Sequence, residues 1–129
     1  VSEHSLGGVR VLVVDDDAAV GDAVGDYLID CGAEVVSVRA AEAAILRLAE
    51  SRPHVVLSDI GMPHRDGFWL IRTVRALPVE QGRDLPVIAM TGRLDTSDAL
   101  LAAGFTEVRS KPPDMAELAA LVAALAIRG

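Results

Sequence analysis

Val9-Arg10-Val11-Leu12-Val13-Val14 runs directly into Asp15-Asp16-Asp17. Five of those first six residues are apolar, which reads as a strand covered on both faces. Strands of that kind belong to parallel sheets with helices on either side. Three carboxylates follow at once, at the end of the strand where such sheets keep their functional crevice.

The same alternation continues along the chain. Val20, Val24, Tyr27, Leu28 and Cys31 recur at helical spacing, and Gly32 is a stop signal. Residues 34–38 read as a strand and 40–51 as a helix. His54-Val55-Val56-Leu57-Ser58 reads as a third strand. Asp66-Gly67 opens a helix carrying Phe68, Leu70, Ile71 and Val74 inward, and Pro78 ends it. A polar loop over 79–84 leads to a fourth strand over 85–90. A short helix over 94–103 is stopped by Gly104, and 106–109 is a weak fifth strand. The last helix, 114–127, opens on a capping box of Asp114 and Glu117. Alternating strands and helices with right-handed crossovers predict an α/β fold with one parallel sheet between two helical layers.

Composition narrows the function. The 129 residues predict one domain, with an ordered core over about 9–127. Hydrophobic residues make up 51% and aromatics 3%, so the core must be built from aliphatics and Ala. The net charge of −7 disfavours direct nucleic-acid binding and docking on anionic membranes. Cys31 is a single cysteine, which excludes an internal disulfide and reads as a small buried residue. No apolar run suits a membrane span, and the first residues carry no secretory pattern, so a cytoplasmic location is expected.

The strand ends carry the chemistry. Asp15, Asp16 and Asp17 follow the first strand, Asp59 the third, Thr91 the fourth and Lys111 the fifth. Carboxylates gathered in one place repel one another unless a cation joins them. Oxygen ligands without His or Cys favour a hard ion, and Mg²⁺ suits a site that also takes a phosphoryl oxygen. A hydroxyl and an ammonium serve a phosphoryl group. A carboxylate can accept one as nucleophile, and Asp59 has partners on either side.

Four motifs in order resemble the signature of the receiver domain of two-component response regulators. They are Val13-Val14-Asp15-Asp16, then Ser58-Asp59-Ile60-Gly61-Met62-Pro63 with Asp66-Gly67, then Ala89-Met90-Thr91-Gly92, then Ser110-Lys111-Pro112. The resemblance covers about Val9 to Ile127. It implies a flavodoxin-like, CheY-like (βα)5 sandwich with five parallel strands in the order 2-1-3-4-5. It implies that Asp59 accepts a phosphoryl group from a phosphohistidine on a sensor histidine kinase or phosphotransfer domain. Asp16 would hold Mg²⁺ directly, with Asp59 and the Gly61 carbonyl, and Asp15 would help through water or as a second acid. Thr91 and Lys111 would each engage a phosphoryl oxygen. The domain would act as a signalling switch on a downstream protein, catalysing its own phosphorylation and dephosphorylation without turning over a metabolite. A cis bond is expected at Lys111-Pro112. The loop Pro78–Asp84 and the absence of an initiating Met suggest a receiver cut from a hybrid sensor kinase.

Some positions depart from the family pattern. Val108 stands where many receivers carry an aromatic switch residue, and Pro113 where Phe is common. The span from Thr91 to Lys111 is short, so a short or irregular fourth helix is expected. Gly61 and Arg93 flank the path of a hydrolytic water, and Arg93 is expected to tune dephosphorylation. Other residues have plain structural readings. Asp17 and Asp66 suit helix caps. Gly21 and Gly25 suit close approach of another element. His4, His54 and His64 share no ligand spacing, and either Phe68 or Trp69 should face outward. Two other functions stay open. One is a haloacid-dehalogenase-like aspartate phosphatase, since Asp15-Asp16-Asp17 contains Asp-x-Asp. The other is a phosphorylation-independent interaction module.

Overall fold

The computed structural model describes residues 5–128, which leaves His4 outside. Five strands alternate with five α-helices: β1 Arg10–Val14, α1 Ala18–Asp30, β2 Glu34–Val38, α2 Ala41–Ser51, β3 Val55–Asp59, α3 Gly67–Arg75, β4 Val87–Thr91, α4 Ser97–Ala103, β5 Glu107–Ser110 and α5 Met115–Arg128. The strands form one parallel sheet in the order β2-β1-β3-β4-β5. The expected fold is thus the observed one.

Strand alternation divides the core into two layers. Val11 and Val13 of β1, Leu57 of β3, and Ile88 and Met90 of β4 pack with Val24 and Leu28 of α1 and Leu118 and Val122 of α5. Leu12 and Val14, Val56, and Val87 and Ala89 face the other way, against Ala44 and Leu48 of α2, Leu70, Ile71 and Val74 of α3, and Leu100 of α4. β1, β3 and β4 are buried through nearly their whole length, while β2 and β5 are more exposed edge strands. Few aromatics are needed because small residues let the layers approach. A Cβ on Gly25 would lie 3.3 Å from Val35 Cγ1, and one on Gly21 3.5 Å from Asp15 Cβ.

Helix ends follow local chemistry. Asp17 Oδ1 accepts from the Ala19 and Val20 amides, and Asp66 Oδ1 from the Trp69 amide. Gly32, at φ 104°, carries the chain out of α1. The capping box at α5 is only half formed. Asp114 Oδ1 accepts from the Glu117 amide at 3.0 Å, but the Glu117 carboxylate is drawn to Arg109, 2.8 Å away. Phe68 and Trp69 are both half-buried, so neither faces fully outward. Trp69 is covered by the Arg65 guanidinium, 5.2 Å from the ring centroid.

The expected fourth helix opens as a 3₁₀ turn over Leu94–Thr96 before seven residues of α4. Side chains tighten it: Thr96 Oγ1 donates to the Arg93 carbonyl and Ser97 Oγ to the Leu94 carbonyl, each at 2.7 Å. The polar loop before β4 also contains a 3₁₀ turn, Val79–Gln81. Arg75 holds that loop. Its Nη1 donates to the carbonyls of Arg83 and Leu85, and its Nε to that of Gly104.

Candidate functional site

The parallel register sets the carboxyl ends of β1, β3, β4 and β5 side by side. Asp59 is the last residue of β3 and Thr91 the last of β4, one position further along each strand than the apolar runs suggest. Asp15 lies just beyond β1, with its amide bonded to the Val38 carbonyl at 3.1 Å. Lys111 follows β5, with its amide bonded to the Thr91 carbonyl at 2.9 Å. The Lys111-Pro112 bond is cis, as expected.

Three acids and one ammonium meet there. Carboxylate oxygens of Asp15, Asp16 and Asp59 lie within 4.8 Å of one another. Asp15 and Asp59 are buried and Asp16 is exposed. Lys111 Nζ lies 2.9 Å from Asp15 Oδ2 and 3.2 Å from Asp59 Oδ2. Backbone amides orient both buried acids. Asp15 Oδ1 accepts from the Asp17 amide at 2.9 Å, and Asp59 Oδ1 from the Ile60 amide at 2.8 Å. The second oxygen of each acid therefore faces the ammonium.

The balance of charge is incomplete. Burial pushes the Asp59 carboxyl from 3.8 up to about 6. The Asp15 charge adds to that rise, Lys111 opposes it, and hydrogen bonding with Asp16 reinforces it. Lys111, although partly desolvated, is held above the usual lysine value by bonds to Asp15 and Asp59. Asp15 Oδ2 is fully buried and makes no well-aligned hydrogen bond, even with the ammonium close by. Lys111 thus pairs with two of the three acids, and a buried oxygen keeps a free lone pair.

Thr91 is buried beside this cluster, but its hydroxyl is engaged elsewhere. Its Oγ1 accepts from the Arg93 amide at 3.0 Å, tying β4 to the entry of the Leu94–Thr96 turn. The Arg93 guanidinium pairs with Asp95 at 3.1 Å, on an exposed surface. Gly61 is exposed in the loop after β3, with open space about its Cα. Val108 is partly buried on β5 and lines a recess of about 180 Å³ with Leu94, Pro113 and Leu118.

One residue of this site has a role that its sequence position does not reveal. A Cβ on Gly67 would fall 2.7 Å from Ile60 Cδ1, 2.9 Å from Ile60 Cα and 3.0 Å from the Asp59 carbonyl oxygen. The Gly67 amide bonds the Ile60 carbonyl at 2.9 Å. Gly67 thus lets α3 sit directly on the backbone that carries Asp59. The Asp66-Gly67 pair was the signal, but it reads equally well as an ordinary helix start.

Comparison with known proteins agrees with this geometry. Residues 11–123 match the response regulator receiver domain. The chain is 40% identical over 121 residues to an uncharacterised 14.6 kDa protein from the sodA1 3′ region of Leptolyngbya boryana, covering 92% of this chain and 91% of that one. It is 36% identical over 116 residues to the response regulator protein FleR of Pseudomonas aeruginosa, covering 88% of this chain but 24% of that protein. Its fold matches the signal receiver domain of a signal transduction histidine kinase from Syntrophus aciditrophicus with a TM-score of 0.84 and 28% identity, over 94% and 92% of the two chains. The chain belongs to the response regulator receiver domain family of two-component systems.

Proposed function

We propose that Asp59 is the phosphoacceptor of this receiver, charged by a phosphohistidine on a sensor kinase or phosphotransfer protein. The observation that carries the reading is the buried Asp59 carboxylate. Its Oδ1 is fixed by the Ile60 amide, and its Oδ2 lies 3.2 Å from Lys111. Only the ionised form is nucleophilic, and a carboxyl titrating at about 6 is mostly ionised at neutral pH. Asp59 Oδ2 attacks phosphorus, the bond from phosphorus to the imidazole nitrogen breaks, and the electron pair leaves with the imidazole. Lys111 then shifts from the Asp59 carboxylate to a phosphoryl oxygen. The Thr91 hydroxyl turns from Arg93 to donate to another.

The acids fit a divalent cation. Their donors are all oxygen, one lone pair of buried Asp15 is free, and one ammonium cannot neutralise three charges. Asp16, Asp59 and the Gly61 carbonyl would hold Mg²⁺, with Asp15 as the further acid. When bound, it supplies positive charge to the incoming phosphoryl oxygens.

Withdrawal of the Thr91 hydroxyl from Arg93 releases the entry of the Leu94–Thr96 turn. That turn is the two-state element on which the phosphoryl group acts. With Val108 at the expected aromatic position, the signal passes through this backbone and not through a ring.

The phosphatase alternative is disfavoured by Asp17. Its carboxylate caps α1 and is not free as the second acid of an Asp-x-Asp pair. Incubation with Mg²⁺ and acetyl phosphate should add one acid-labile phosphoryl group per chain, with no labelling of D59N. Many turnovers per chain would support the phosphatase. No labelling under any condition would support an interaction module.

A further inference from the structure

A groove of about 530 Å³ opens at the opposite end of the sheet from the acids. Its lining includes apolar Ile45 and Leu48 of α2, with Leu77, Val79 and Leu85 from the segment between α3 and β4. The lining also includes Arg10, Arg52 and His54, three side chains that can donate hydrogen bonds. From this combination we infer that the groove binds a small amphiphile with one anionic head and an apolar body, such as a medium-chain carboxylate.

The head has a built environment. Arg10 Nε donates to the Arg52 carbonyl at 2.8 Å, which ties the Arg10 guanidinium to the backbone at Arg52. Among the described residues neither guanidinium forms an ion pair. His54 Nδ1 accepts from the Arg10 amide at 2.9 Å, so the neutral ring carries its proton on Nε2. Glu80 and Gln81 line the rim, and Glu80 is the single acid there. In a chain of net charge −7, this is a local cationic spot in a groove also lined by apolar side chains.

Two further observations support a binding site. The segment between α3 and β4 is anchored and not a loose loop. Arg75 Nη1 ties the Arg83 and Leu85 carbonyls, Arg83 Nε donates to the Leu77 carbonyl, and the Val79–Gln81 turn closes on its own backbone. Arg52 also occupies a left-handed position, φ 45°, where glycine is the unstrained choice. Arg52 thus places a cation where local conformation favours a residue without a side chain.

That last point supplies the test. Arg52→Gly relieves the backbone and removes the cation, so a loss of binding cannot be ascribed to a loss of folding. Octanoate, held below its micellar range, is titrated into the ¹⁵N-labelled chain. Saturable shifts are expected at the amides of Arg52, His54, Leu77 and Val79 to Gly82. R52G should weaken octanoate at least about fivefold without lowering the melting temperature, and 1-octanol should bind the wild type comparably less well. The inference is overturned by no saturable shift, by octanol binding as tightly as octanoate, or by R52G binding like the wild type.

Discussion

At the scale of single residues, Asp59 carries two linked expectations. Its carboxyl is raised from 3.8 to about 6 in the folded chain. Between those values the folded state holds a proton that the unfolded state has released. Stability in divalent-free buffer therefore falls as pH rises through that window and stays lowered above it. Asp59→Asn removes the charge with little change of shape. The variant should be more stable than the wild type near pH 7 by about 1–2 kcal/mol, and the difference should vanish near about pH 4. Urea unfolding with a chelator present measures this, and a wild type more stable than D59N at neutral pH contradicts it. A second expectation concerns Arg93. Its exposed pairing with Asp95 holds it aside, and a phosphoryl group offers the guanidinium a stronger partner. R93A should shorten the phosphoryl lifetime and Asp95→Ala should lengthen it. Unchanged decay in both variants would remove Arg93 from the chemistry.

The proposed site residues were legible because Asp15, Asp59 and Thr91 each close an apolar strand and Lys111 stands in a Ser-Lys-Pro motif after the fifth. Asp15, Asp59, Thr91 and Lys111 need only the parallel register to meet. The partners that orient them were not legible. Nothing in the letters shows that the Ile60 amide holds Asp59, or that the Thr91 hydroxyl serves Arg93. Those bonds depend on where the backbone turns after each strand.

At the scale of elements, the departures have local causes. The capping box at α5 stays half formed because Arg109 on the neighbouring strand competes for the Glu117 carboxylate. The fourth helix begins as a 3₁₀ turn because hydroxyls at 96 and 97 bond back to carbonyls three residues earlier. The seating of α3 on β3 depends on Gly67, and that dependence arises between residues only the fold brings together. Gly67→Ala should cost about 1–3 kcal/mol, since the added carbon meets not only the Ile60 side chain, which can move, but also the Ile60 and Asp59 backbone, which cannot move freely. It should also slow phosphoryl transfer by displacing the Asp59 backbone. Gly61→Ala, which meets nothing, should change stability by no more than about 0.5 kcal/mol. Thermal unfolding of the two variants side by side separates the cases, and equal losses would contradict the packing argument.

At the scale of the whole molecule, the sheet separates the proposed phosphoryl site from the proposed binding groove. The acids collect at the carboxyl ends of the strands, and the cationic groove lies at their amino ends. Such a groove escapes a reading of sequence because α2, the start of β1 and the segment before β4 each supply only part of it. Charge at the proposed phosphoryl site gives a global expectation. A divalent cation that binds only the folded acids stabilises the chain by mass action, about 2.7 kcal/mol at a hundredfold excess over its dissociation constant. Mg²⁺ should therefore raise the melting temperature of the wild type reversibly. The rise should be much smaller in Asp16→Asn, and a chelator should abolish it. A melting temperature indifferent to Mg²⁺ would contradict the proposed ligand set.

The central claim is that one carboxylate, Asp59, takes the phosphoryl group while its neighbours hold and screen it. The most direct measurement is to label the chain with acetyl phosphate and Mg²⁺, reduce the acyl phosphate with borohydride, and map the converted residue by peptide mass. Conversion at Asp59 alone is the predicted result. Conversion at Asp15 or Asp16 with Asp59 untouched would contradict the account.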